Sequence, residues 1–102
     1  MKEYKIYIPL THNDASAVDP EILTELRDRL LAQFGGLTFF PQSNQGFWTL
    51  GGVTYRDEIV IYRVLTADTR SARKFSREQK EELKQELQQE EILIVEKVAG
   101  VL

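Results

Sequence analysis

Apolar and polar residues alternate from the start of the chain. Tyr4, Ile6 and Ile8 interleave with Glu3, Lys5 and Tyr7, and this period of two predicts a strand over 4–10. A polar, small-residue loop over 11–18 follows. The spacing then lengthens: Ile22, Leu26, Leu30 and Phe34 recur one helical turn apart, with Leu23 and Leu31 beside them, as one apolar stripe. Asp19 is a suitable N-cap, Pro20 a suitable first helical residue, and Gly35-Gly36 a suitable stop. A short strand over 37–40 and a loop over 41–46 come next. Phe47 to Leu50 reads as one side of an arm, at about 46–55, that turns at Gly51-Gly52. The longest strand is predicted over 53–66, and its run Ile59-Val60-Ile61-Tyr62 is apolar on both faces. After a connection over 67–75, Ser76 and Gln79 have the spacing of a capping box, which predicts a second helix over 76–89. Leu83 and Leu87 give that helix a narrow apolar stripe. A last strand over 92–97 and a tail over 98–102 complete the chain.

The predicted order is strand, helix, strand, strand, helix, strand, an α+β sandwich with both helices on one face of an antiparallel sheet. Two helices cover one face. Ile6, Ile8, one of Phe39 and Phe40, Ile59, Ile61, Ile92 and Ile94 are assigned to the helix side. The other face then carries Tyr7, the second phenylalanine, Val60, Tyr62, Val64, Leu93 and Val95. That face is too apolar to meet water without a consequence, since each such side chain gains about 1.5–3 kcal/mol from burial. Self-association as a homodimer or homotrimer is the expected use of it.

Composition narrows the picture. The 102 residues make one domain, 1–102, and 42% hydrophobic with 28% charged residues is globular composition. No cysteine is present, so thiolate chemistry and disulfides are excluded, and a reducing, cytoplasmic setting is expected. The first residues lack a signal-peptide pattern, and no apolar run is long enough for a membrane span. With 13 basic and 16 acidic residues, net charge −3, no attraction to nucleic acid or membrane is expected.

Candidate chemistry is sparse. His12, the single histidine, could serve as a base with Asp14 behind it, but no nucleophile accompanies it and a loop role is expected. His12, Asp14 and Asp19 lack the spacing of a metal site. No metal or cofactor is expected. Asp57 and Glu58 are adjacent in a strand and point to opposite faces, so they do not form a catalytic pair. Arg70, Arg73, Lys74 and Arg77, with Lys80, form the one basic cluster, a candidate anion-binding site without a glycine-rich phosphate loop. Phe47 and Trp48 on the arm are candidate partner anchors or lids. A pocket lined by His12, Phe40, Phe47, Trp48 and Tyr62 is the site expected if the domain holds a ligand.

Three resemblances bear on the sequence. Phe34-Gly35-Gly36-Leu37-Thr38, Gly46-Phe47-Trp48, Gly52 and Asp57-Glu58 resemble a pattern in small uncharacterised prokaryotic domains, which implies a ferredoxin-like β-α-β-β-α-β fold without an attached activity. The same stretch is distantly similar to the CutA and PII-like signalling proteins, where a tryptophan-containing hairpin arm precedes a long strand and trimers form. Their ligand loops and the CutA cysteine have no counterpart here. Ile6-Tyr7-Ile8-Pro9-Leu10 resembles half of the RNA-recognition motif, but the strand opening Arg56-Asp57-Glu58 lacks the stacking aromatics. The expectation is a homo-oligomeric binding or interaction domain, more a binder than an enzyme. A small ferredoxin-like enzyme or ligand-binding protein with an aromatic pocket, and a PII-like anion or nucleotide regulator, are the alternatives.

Overall fold

The computed structural model describes every residue except Asn13, so the part of the 11–18 loop that contains it lies outside the described residues. Four strands and two helices follow one another as β1 (Lys2–Pro9), α1 (Pro20–Phe34), β2 (Thr38–Leu50), β3 (Val53–Thr66), α2 (Arg70–Glu86) and β4 (Ile94–Val98). The strands form one antiparallel sheet in the order β2-β3-β1-β4. No helix among the described residues is long and apolar enough to cross a membrane.

Helix α1 begins and ends where its local chemistry directs. The Asp19 carboxylate accepts from the Glu21 N–H at 2.9 Å, and Pro20 occupies the first turn without wasting a donor. Gly35 ends the helix at φ 77°, a left-handed conformation that favours glycine, and its N–H closes on the Leu31 carbonyl. Leu26 and Leu30 point from α1 into the core.

Helix α2 corrects the sequence reading. It starts at Arg70, with the Thr69 hydroxyl accepting from the Ala72 N–H at 3.0 Å. Ser76 and Gln79 lie inside it, buried. The capping-box spacing of three residues also suits one face of a helix interior, and tertiary contacts decide between the two. The Ser76 hydroxyl donates to the Ala72 carbonyl at 2.9 Å, and Gln79 Oε1 accepts from Arg29 Nε at 2.8 Å. The early start also brings Phe75 edge-on to Phe34, 5.4 Å between ring centroids, joining the two helices.

Leu26, Leu30, Ala72, Leu83 and Leu87 pack with Tyr4, Ile6, Ile8, Val60, Tyr62, Val64 and Ile92 as one buried cluster. This assigns the sheet faces and overturns part of the expected division. Register sets Ile6 opposite Tyr62, Ile8 opposite Val60 and Tyr4 opposite Val64, so all six face the helices. Val60, Tyr62 and Val64 are therefore core, and Ile59 and Ile61 point away. Alternation fixes which residues share a face of β3 but cannot say which face is covered. Tyr62 settles it, because its hydroxyl donates to the Leu23 carbonyl of α1 at 2.9 Å and its ring stacks on Phe39 at 4.7 Å.

The predicted short strand, loop and arm side are one strand, β2, with an irregularity between Phe40 and Asn44. Pro41 sits in that irregularity on an edge strand, where a missing N–H is tolerated. The last strand starts at Ile94 rather than Ile92. The Ala99 N–H donates to the Met1 carbonyl at 3.0 Å just beyond it.

Candidate functional site

The outer face of the sheet is the one extended surface the helices leave open. Tyr7 stands opposite Ile61, and Ile61 opposite Phe40, so these three share that face with Ile59. Val95 lies opposite Lys5 on the same side, with Leu93 before it. Phe40, Leu93 and Val95 are 38–55% exposed. Toward the far end the face turns polar. Glu3 accepts from Arg63 at 2.6 Å, and Lys5 lies 3.8 Å from Glu3. The Arg63 guanidinium beside Glu3 holds its carboxyl below the usual carboxylate range.

The same face continues onto the arm formed by β2 and β3. Across the hairpin Leu50 pairs with Val53, Trp48 with Tyr55 and Gly46 with Asp57, and alternation puts all six on the side of Ile59. Gly51 and Gly52 make the turn at φ 59° and 80°. Leu50, Val53, Trp48, Tyr55 and, on the opposite side, Phe47 are 47–64% exposed. Phe47 shares its side with Arg56 and Glu58, which form an ion pair at 3.0 Å. Ser43 also donates to Glu58, and the Ser43 and Arg56 contacts lower the pKa of that carboxyl. Asp57 differs: burial alone pushes its carboxyl up, and no hydrogen bond or ion pair holds it among the described residues.

The remaining candidates are dispersed. His12 is drawn to the end of α2, where Nδ1 donates to the Leu87 carbonyl at 2.9 Å, and Gln89 Nε2 donates to the Thr11 carbonyl beside it. These bonds tie the first loop to the end of α2, the first through a carbonyl that a helix end leaves open. Asp14 is taken by both the N–H and hydroxyl of Ser16, which lower its pKa. The expected pocket of His12, Phe40, Phe47, Trp48 and Tyr62 is not assembled within one chain. Tyr62 is core, Phe40 and Trp48 lie on the outer side, Phe47 on the reverse of the arm, and His12 at the end of α2.

Arg70, Arg73, Lys74 and Arg77 do share the wall of one shallow concavity, with Glu78 and Glu81. Two of them already have acidic partners, one within the concavity and one outside it. Lys74 lies 3.8 Å from Glu78, and Arg73 grips Glu96 through Nε at 3.2 Å and a terminal nitrogen at 2.7 Å. Glu96 also receives Lys2 at 2.9 Å and the Tyr4 hydroxyl at 3.2 Å. Arg73 first and Lys2 second hold its carboxyl down to about 2. This network joins β1, β4 and α2, and sequence reasoning missed it. The signal was available: with Ile92 and Ile94 facing inward, alternation turns Glu96 inward too.

The fold defines a class, small α+β sandwiches with a four-stranded antiparallel sheet backed by two helices. No protein-family model matches the chain, and no curated protein matches it. Among solved structures, a phage SAM lyase in complex with S-methyl-5'-thioadenosine is similar over 94% of this chain and 79% of its own, at 13% identity and TM-score 0.69. Its apo state matches over 94% and 78%, at 16% identity and TM-score 0.66. A variant of CutA1 from Pyrococcus horikoshii matches over 100% and 86%, at 15% identity and TM-score 0.63. At these identities the likeness shows the fold alone.

Proposed function

We propose that the chain is a self-associating binding module of ferredoxin-like type, and that its outer sheet face and arm are the contact with further copies of itself. The observation that carries this reading is the apolar strip from Leu93 and Val95 through Tyr7, Ile61 and Ile59 to Trp48 and Leu50, interrupted on the arm by Asp57. A second copy is the favoured occupant because the strip ends in a free edge. From Asn44 to Leu50, β2 pairs with β3 on one side only, and that stretch contains no Lys, Glu, Asp, Arg or Pro to discourage pairing. The other edge strand, β4, is short and carries Glu96 and Lys97.

Size-exclusion chromatography with light scattering tests the reading. At micromolar concentration the expected mass is two or three times 11.8 kDa. Ile61→Lys, which sets a charge in the middle of the strip, should return the single-chain mass with unchanged circular dichroism. A wild-type mass of one chain would refute the proposal.

A second reading is supported by the likeness to the phage SAM lyase, a protein seen with S-methyl-5'-thioadenosine on a similar fold. In that reading this chain takes an adenosine thioether. Isothermal titration with S-methyl-5'-thioadenosine should give saturable heat, and absence of heat would remove it.

A further inference from the structure

The arm carries one group that the apolar strip does not explain. Asp57 is a partly buried carboxylate with no partner among the described residues, set between Ile59 and Tyr55 along β3 and across from Gly46. The vacancy at Gly46 is used by an aromatic ring. A Cβ there would meet Trp48 Cζ3 at 3.6 Å and Ile59 Cδ1 at 3.8 Å, so the indole leans back over Gly46 toward the strand position facing Asp57. Tyr55 stands across the hairpin from Trp48. Neither ring stacks on another aromatic; the two ring pairs in the described structure are Phe34 with Phe75 and Phe39 with Tyr62.

No cation of the chain is placed to serve Asp57. β2 contains no charged residue, and Arg56 points to the other side of the arm, where Glu58 holds it. A metal ion is a poor match, because no group of three His, Asp or Glu side chains exists among the described residues. Two half-exposed π systems beside one isolated carboxylate instead suit a weakly hydrated organic cation. Such a cation gains from the ring faces and supplies a counter-charge to a carboxylate without a partner among the described residues.

We propose that Trp48, Tyr55 and Asp57 form a binding site for a small alkylated ammonium group, seated over Gly46 with Asp57 as its counter-ion. The site needs only one chain, and a second copy seated on the strip would compete with the cation for Trp48.

Trp48 is the single tryptophan, so the fluorescence signal comes from this site, and the titration is run at a protein concentration where light scattering shows no change of mass. The full chain is titrated at constant ionic strength with choline and with 3,3-dimethyl-1-butanol, a neutral molecule of the same shape. Choline should give a saturable change in Trp48 emission, and the neutral compound should bind weaker by about tenfold. Asp57→Asn should lose the preference for choline, and Tyr55→Leu should weaken choline binding, each with unchanged circular dichroism. No response to choline, equal response to the two compounds, or an undiminished preference in Asp57→Asn would overturn the proposal. Light scattering on the same samples reads assembly separately.

Discussion

The body of the molecule and its arm are made from the same strands, yet they meet opposite conditions. In the body, Tyr62 and Val64 of β3 are enclosed by Leu26, Leu30 and Leu83 of the helices. On the arm, Val53 and Tyr55 of that strand, and Trp48 and Leu50 of β2, remain about half exposed. Charge follows the same division. The body pairs ions in a network such as Lys2, Arg73 and Tyr4 around Glu96, whereas the arm leaves Asp57 without a partner among the described residues. A single chain therefore holds a finished core and an unfinished surface, and their energetics should separate under mutation.

The largest separation is expected from matched truncations. Leu30→Ala in the body should lose about 2–5 kcal/mol of stability. Leu50→Ala on the arm should stay within about 0.5 kcal/mol for a single chain. Urea melts at low protein concentration check both, and equal losses would erase the distinction.

Acid should act on the body next. The Glu96 carboxyl has its folded pKa lowered from 4.5 to about 2. A depressed carboxylate contributes stability that is present above the unfolded value and is lost as pH falls through the window from 4.5 to about 2. Glu96→Gln should flatten the stability profile in that window, as read by thermal melts across pH. A third change, Tyr62→Phe, removes the bond to the Leu23 carbonyl and should lose about 1 kcal/mol.

The smallest effect, of opposite sign, belongs to the arm. The Asp57 carboxyl is raised above its unfolded value by burial, so its contribution favours folding at low pH and declines as pH rises through the folded pKa. Asp57→Asn should leave the melting temperature at neutral pH equal or slightly higher. A clear drop would mean that the charge is satisfied in the folded chain.

What could be read in advance follows the same physics. Helix α1 was legible to the residue, because Asp19, Pro20, the Leu26–Leu30 stripe and Gly35 are local signals. The start of α2 was not, because Thr69 is an inconspicuous cap and Ser76 with Gln79 imitates a better one. The orientation of β3 was not legible either. Ile59 and Ile61 are as apolar as Val60 and Tyr62, and pairing with β1 decides between them. On the arm, Phe47, Trp48 and the Gly51-Gly52 turn were visible as a hairpin. The placement of Gly46 against Asp57 was hidden, since it depends on Pro41, Gln42 and Ser43 being accommodated opposite Val60 alone.

Hydrogen–deuterium exchange of the Asn44–Leu50 backbone, followed as protein concentration rises from nanomolar to tens of micromolar, addresses the unfinished surface most directly. If a second copy covers the strip and its free edge, those amides should slow with concentration while Leu26 and Leu30 keep the same protection throughout. Exchange on β2 that is fast and identical at every concentration would contradict self-association.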